Sequence, residues 1–138
     1  MIRVAILSDI DIILSIYTQM GIKTMVDDVV YGEYDFTEHI KSGNIYVCDD
    51  NGVVGFTVFY DHITWAYIEI LCVDKNHRGF GVGKSLLESV KNEKWGVIEL
   101  CCHDMDKDVI DFVEKCNFIK SNQITNWYYK NVNNDEEN

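Results

Sequence analysis

Residues 77–88 read HRGFGVGKSLLE, with Gly79, Gly81 and Gly83 at alternate positions between the cations Arg78 and Lys84, and helix-like sequence directly after. Glycine loses more conformational freedom on ordering than any other residue, so this spacing marks a backbone that something must approach closely. Two nucleotide-binding loops share part of the pattern and fail on position. GKS at 83–85 matches the end of a phosphate-binding loop, but the place five residues before Gly83 is held by Arg78 rather than glycine. The dinucleotide fingerprint GxGxxG fails as well, ending on Lys84 when counted from Gly79 and on Leu86 when counted from Gly81.

The flanking sequence fixes where this loop sits. ITWAYIEILCV (63–73) reads as a long strand running into it, and Val82, Leu86 and Val90 recur four apart after it, as on one face of a helix over 82–93. Upstream, NIYVCDDNGVVGFTVFY (44–60) carries two strand-like runs about Asn51-Gly52, a favoured hairpin turn. IRVAIL (2–7) reads as a first strand, and Ser8 or Asp9 is placed to cap a helix to about residue 20. FTEHIKSG (36–43) reads as a short helix ending at Gly43. Downstream, WGVIELCCH (95–103) has the continuous apolar character of a central strand. Asp106 can cap a helix carrying Val109, Ile110, Val113 and Cys116, with Asn117 suited to the left-handed position that ends it, and ITNWYYK (124–130) reads as a last strand. Strands followed by a strand–helix alternation predict an α/β fold with a mixed central sheet and about four flanking helices.

Composition narrows the function. The 138 residues are 47% hydrophobic and 12% aromatic, enough for one core; a single domain is expected over 1–130, with the acidic 131–138 (NVNNDEEN) as a flexible tail. Acidic residues outnumber basic ones by 23 to 12, a net charge of −11 that excludes the basic face of a nucleic-acid binder. The same charge serves solubility and favours cationic small molecules or basic peptides as partners. Cys48, Cys72, Cys101, Cys102 and Cys116 form no CxxC pair and mostly sit in apolar runs, so buried reduced thiols are expected and a metal site is not. Asp9 and Asp11 interrupt the apolar start of the chain, and no apolar run reaches membrane-spanning length, so an intracellular, cytoplasmic protein without a membrane anchor is expected.

Arg78, Gly81 and Gly83 match [QR]-x-x-G-x-[GA] between a strand and an amphipathic helix, and this resembles motif A of the GNAT superfamily of N-acetyltransferases. The likeness extends from IRVA to WYYK, nearly the whole chain. It implies the GNAT acyl-CoA N-acyltransferase fold and acetyl-CoA (coenzyme A) as co-substrate, its pyrophosphate held by loop amides and a helix N-terminus, whose first N–H groups lack intrahelical partners. Carried over position by position, the resemblance implies cofactor contacts from Leu71, Cys72 and Val73 on the strand and from Arg78, Gly79, Phe80, Gly81, Val82, Gly83 and Lys84 in the loop. Asp106 joins them, standing where the family pattern has Asn. Val73 N–H is implied as the donor to the developing oxyanion.

An amine must lose a proton before it attacks a thioester, so a general base is needed. Strand alternation puts Glu69, Leu71 and Val73 on one face, leaving Glu69 a lone carboxylate among apolar neighbours; a solvated edge position is the ordinary alternative. GNAT enzymes often carry their base at this strand position, which makes Glu69 the implied base. The family's next helix often reads N-x-x-A-x-x-F-Y-x-K-x-G-F, with the Tyr as acid; here Val113 replaces that Tyr, and Tyr128 or Tyr129 could substitute or simply pack. No acid is assigned.

Within the superfamily the resemblance is to spermidine/spermine-type polyamine acetyltransferases, including the small ones that large DNA viruses encode. It implies a small cationic amine of the putrescine, cadaverine or spermidine class, with Trp127 lining its channel. DDVVYGEYDFTE (27–38) has five acids and no cation, so Asp27, Asp28, Glu33 and Asp35 are candidate amine contacts, although a solvated acidic loop explains them equally, as core packing explains Trp127. Transfer to a Lys side chain or protein N-terminus is the alternative acceptor, and a weak acyl-CoA-binding module the alternative class. Many relatives are homodimers, but nothing in the sequence marks an interface.

Overall fold

A computed structural model describes residues 1–19, 31–91, 93–102, 107–121 and 126–130. Among these residues, seven strands form one sheet in the order β1-β2-β3-β4-β5-β7-β6. They are β1 (Ile2–Val4), β2 (Ile45–Asp49), β3 (Val53–Asp61), β4 (Trp65–Val73), β5 (Val97–Cys101), β6 (Ile119–Lys120) and β7 (Asn126–Lys130). The helices are α1 (Ile10–Thr18), α2 (Glu33–Lys41), α3 (Val82–Lys91) and α4 (Lys107–Lys115). The expected mixed α/β sheet with four helices is therefore present.

Local chemistry accounts for most element ends. Asn51 and Gly52 both take positive φ (54° and 124°) at the β2–β3 turn, and Asn117 (φ 68°) ends α4 in the left-handed conformation. Two helix starts differ from expectation. A 3-10 turn over Leu7–Asp9 precedes α1, and the Asp9 carboxylate turns back to Arg3 (2.8 and 3.0 Å) and the Ile6 N–H (2.8 Å) instead of capping the helix. Helix α2 begins three residues before the expected Phe36, at Glu33, because Asp35 accepts the Gly32 N–H at 2.8 Å and both acids favour a helix N-terminus. Strand β6 is only two residues long, too short to leave a periodic signal.

The sheet separates two cores. Ile13, Ile16, Phe36 and Ile40 of α1 and α2 pack on Phe56, Val58, Ile70 and Cys72. Leu87, Val90 and Val113 of α3 and α4 pack on Ile68, Ile98, Leu100 and Trp127. Ile68 and Ile70, two residues apart on one strand, thus serve opposite faces. The cause is a β-bulge: Val58 pairs with Ile70 and Phe59 with Ile68, so Glu69 is the extra residue on β4. An inserted residue shifts the alternation by one from that point on.

At Gly55, a Cβ would lie 2.9 Å from Val82 Cγ1 and 3.0 Å from the Cys72 carbonyl, so α3 rests directly on strand backbone. The parallel pairing of β4 with β5 runs from Trp65–Val97 to Ile68–Leu100 and stops there, while β4 continues to Val73. The sheet therefore opens past Ile68, at the bulge. Cys48, Cys72, Cys102 and Cys116 are buried, and no helix among the described residues is long and apolar enough to cross a membrane.

Candidate active site

A cleft of about 760 Å³ lies on the α3–α4 side of this opening. Its floor is the end of β4, Leu71, Cys72 and Val73; one wall is the glycine loop, and Val109 and Phe112 of α4 with Cys116 just past its end form the other. Arg78, Gly79, Gly81, Val82, Gly83 and Lys84 all line it. Phe80 does not: its side chain is 81% exposed, pointing to solvent from the tip of the loop. Asp106 lies outside the described residues.

The three glycines answer two different demands. Gly79 and Gly81 both have φ of 85°, which L side chains rarely adopt, and a Cβ there would meet nothing within 4 Å. Conformation, not space, requires them. Gly83 is helical, and a Cβ would lie 3.2 Å from Cζ of Phe112, so its absence lets α4 close onto α3.

Arg78 is tethered by its Nε to the Val73 carbonyl at 3.0 Å. Asp74, just beyond β4, accepts from Gln19 at the end of α1 (2.7 Å) and lies 2.8 Å from His77 Nδ1, which fixes the approach to the loop. Among the described residues, Arg78, Lys84 and Lys115 face the cleft against one acid, Asp108. A protein of net charge −11 thus concentrates positive charge at the N-terminus of α3, where unpaired amides and the helix dipole add to it. The cleft is built for an elongated anion with an apolar portion.

The bulge corrects the expected placing of Glu69. Leu71 packs with the α3 side and Val73 touches the Gly83 region, whereas Glu69 turns to the other face. There it is 6% exposed, and its Oε2 accepts the Tyr31 hydroxyl at 2.6 Å. Tyr31 OH also lies 3.1 Å from His39 Nε2 and 3.1 Å from Tyr60 OH. Burial first, and then the bond to Glu69, hold the Tyr31 hydroxyl far above the ordinary phenol range, so it stays a donor. Burial also pushes the His39 imidazole below its usual value.

The other sequence candidates divide. Glu33 and Asp35 are exposed in the first turn of α2, Asp35 one helix turn from His39, and Asp27 and Asp28 lie outside the described residues. Trp127 is buried under α3 and α4, across the sheet from Glu69. Tyr129 packs beneath Lys91, whose Nζ is 3.9 Å from the ring centroid, and Val113 is fully buried. Sequence reading missed Tyr31, His39 and Tyr60 altogether. It also missed the α4 wall, although Asp108, Phe112, Lys115 and Cys116 share one helical face, a signal that becomes readable once the loop's partner is known.

Residues 41–120, more than half of the chain, match the family model described as Acetyltransferase (GNAT) domain. The chain belongs to the GNAT acetyltransferase family. It is an acetyl-CoA-dependent N-acetyltransferase with the GNAT fold. Solved structures agree on the fold. Ard1 from Thermoplasma volcanium superposes with a TM-score of 0.79 at 18% identity, over 94% of this chain and 96% of that one. The PaiA N-acetyltransferase from Thermoplasma acidophilum, solved with coenzyme A, gives 0.78 at 15% identity, over 94% and 98%. A ribosomal-protein-alanine N-acetyltransferase from Brucella melitensis gives 0.75 at 16%, over 94% and 99%. No curated protein matches the chain in sequence. The likeness to polyamine or viral enzymes gains nothing from these matches.

Proposed function

We propose that this GNAT enzyme acetylates a primary amine of a small polycation of the putrescine, cadaverine or spermidine class, by direct transfer with both substrates bound. The observation that carries the reading is the buried Glu69 carboxylate at the bulge, where the sheet opens beside the cleft. Bound acetyl-CoA supplies an activated thioester that an unprotonated amine can attack. Leu71, Cys72 and Val73 would border its acyl-bearing arm, while the loop amides, Arg78, Lys84 and Lys115 would hold its phosphates. A lysine-type ammonium has a pKa near ~10.4, so an amine arrives carrying the proton that Glu69 is positioned to take. Glu69 holds that proton at a carboxylate oxygen, with Oε2 already accepting from Tyr31. Direct transfer is preferred because a covalent route needs a cysteine nucleophile held by its own base partner, and no cysteine is assigned one.

The acids Glu33 and Asp35, exposed in the first turn of α2, support a polycationic acceptor. A basic peptide would be drawn by the same charge. The fold shared with the Brucella protein-alanine acetyltransferase keeps transfer to a protein amine as the second reading. The deciding experiment is thiol release from acetyl-CoA with putrescine, cadaverine, spermidine, spermine and a Lys-rich peptide. Turnover favouring the linear polyamines supports the first reading, and turnover only with the peptide replaces it by the second. Silence across the panel, with acetyl-CoA still bound, would reduce the protein to an acyl-CoA-binding module.

A further inference from the structure

The hydrogen bonds at Tyr31 bear on the proton held by His39. A tyrosine hydroxyl has one proton and two lone pairs. Its proton goes to Glu69 Oε2, and the 2.6 Å separation is that of a charge-assisted O–H···O⁻ bond. His39 Nε2, 3.1 Å from the same oxygen, must then donate to it, while Tyr60 OH, also 3.1 Å away, is hydrogen-bonded to Glu69 as well. His39 therefore carries its proton on Nε2 and leaves Nδ1 as the open lone pair. Packing holds the three rings in this order. The His39 ring stacks on Tyr31 (centroids 5.5 Å apart, 13° between planes) and meets Tyr60 edge-on (5.1 Å, 79°).

We propose that His39 acts through Tyr31 as a positioning residue for Glu69, that these three residues and Tyr60 border the pocket for the amine, and that this pocket accepts a cationic amine only while the imidazole is neutral. The inference rests on the reading of Glu69 as the base. With His39 neutral, Glu69 is the one charged member of the group of four, and an ammonium entering the pocket meets a net negative charge. A proton on Nδ1 makes the imidazolium, cancels that charge, strengthens the donor chain into Glu69 and weakens its pull on the amine proton.

The groups facing His39 come from four elements: Tyr31 at the entry to α2, Tyr60 on β3 with His62 stacked behind it, Glu69 on β4, and Asp35 on α2 itself. Burial lowers the imidazole most, while Glu69 and Asp35 raise it, and the balance falls below the ordinary histidine value. Neutral His39 is thus the form present at neutral pH, and the switch lies on the acid side of about 6.5.

The experiment has two arms. In the first, ¹⁵N chemical shifts of the imidazoles in the wild-type protein, assigned with His39→Gln, report the tautomer without any need for turnover. The Nε2–H form is expected, and an Nδ1–H form would overturn the proposal. In the second, kcat and KM are followed from pH 5 to 9 with acetyl-CoA and spermidine, or the Lys-rich peptide if that is the acceptor that turns over. The wild type should lose kcat/KM about tenfold per pH unit below the switch, through a rising amine KM. His39→Gln, which can still donate to Tyr31 but cannot titrate, should flatten that limb; Tyr31→Phe should flatten it and lower kcat as well. An unmoved limb in His39→Gln sinks the idea, as does an equal loss at every pH in His39→Gln and His39→Phe. Glu69→Gln separates the two readings: full turnover there removes Glu69 as base, whatever His39 does to the limb.

Discussion

The glycine-loop cleft takes floor and loop from the continuous run 71–84 and one face of α4, whereas the cluster on the other side takes Tyr31, His39, Tyr60 and Glu69 from four separate stretches. The first is specified by backbone conformation and charge, the second by side chains meeting at a bulge. One side should therefore respond to changes in φ and salt, and the other to changes in protonation. This contrast can be tested by breaking each side and asking whether the other notices.

The largest effect is expected from Glu69→Gln. Loss of a general base should lower kcat by about 10²–10⁴-fold, while the rise in melting temperature given by acetyl-CoA persists. Full activity across pH would leave the buried carboxylate a structural group. Next comes Gly81→Ala. Holding an alanine at φ 85° costs about 1–2 kcal/mol, so acetyl-CoA affinity measured by titration calorimetry should fall about 5–30-fold while the amine KM stays. A matching change in amine KM would show that the two sides are not separate.

Removing cleft charge should do less. Lys84→Ala with Lys115→Ala should raise the acetyl-CoA KM several-fold at low salt, and added salt should then affect the double variant less than the wild type. The smallest change is expected at Glu33, an exposed acid beyond the pocket. Glu33→Gln should raise the KM for spermidine about twofold and leave a monoamine untouched; equal effects would make it ordinary surface charge.

The same contrast governs what could be read in advance. The glycine loop, the Asn51-Gly52 turn and the Asn117 helix end were legible because each is a demand on φ met by neighbouring residues. Glu69 was legible as a lone carboxylate, yet the face it occupies was not. AYIEILCV alternates regularly in sequence, and only the unequal pairing of Val58 and Phe59 with Ile70 and Ile68 reveals the extra residue. Its partners were hidden for a related reason: Tyr31 lies 38 residues from Glu69 along the chain, and no local pattern encodes that distance. For Trp127 the sequence left channel lining and core packing open, since a strand's two faces cannot be told apart before its neighbours are known; Leu100 opposite it places the side chain on the α3–α4 face.

The strand order also sets a timetable for assembly. The β2–β3 and β3–β4 pairs join neighbours in sequence and can close as hairpins in about 1–10 μs. The parallel β4–β5 pair must wait for the intervening α3 to be laid down, and a long loop closure precedes its first contact. Because β7 inserts between β5 and β6, a nascent chain that has not yet released residues 126–130 carries a complete glycine loop beside a sheet whose β5 edge is bare. The segment most exposed to mispairing during synthesis is thus the strand that flanks the open end of the sheet, and the last described strand is the one that covers it.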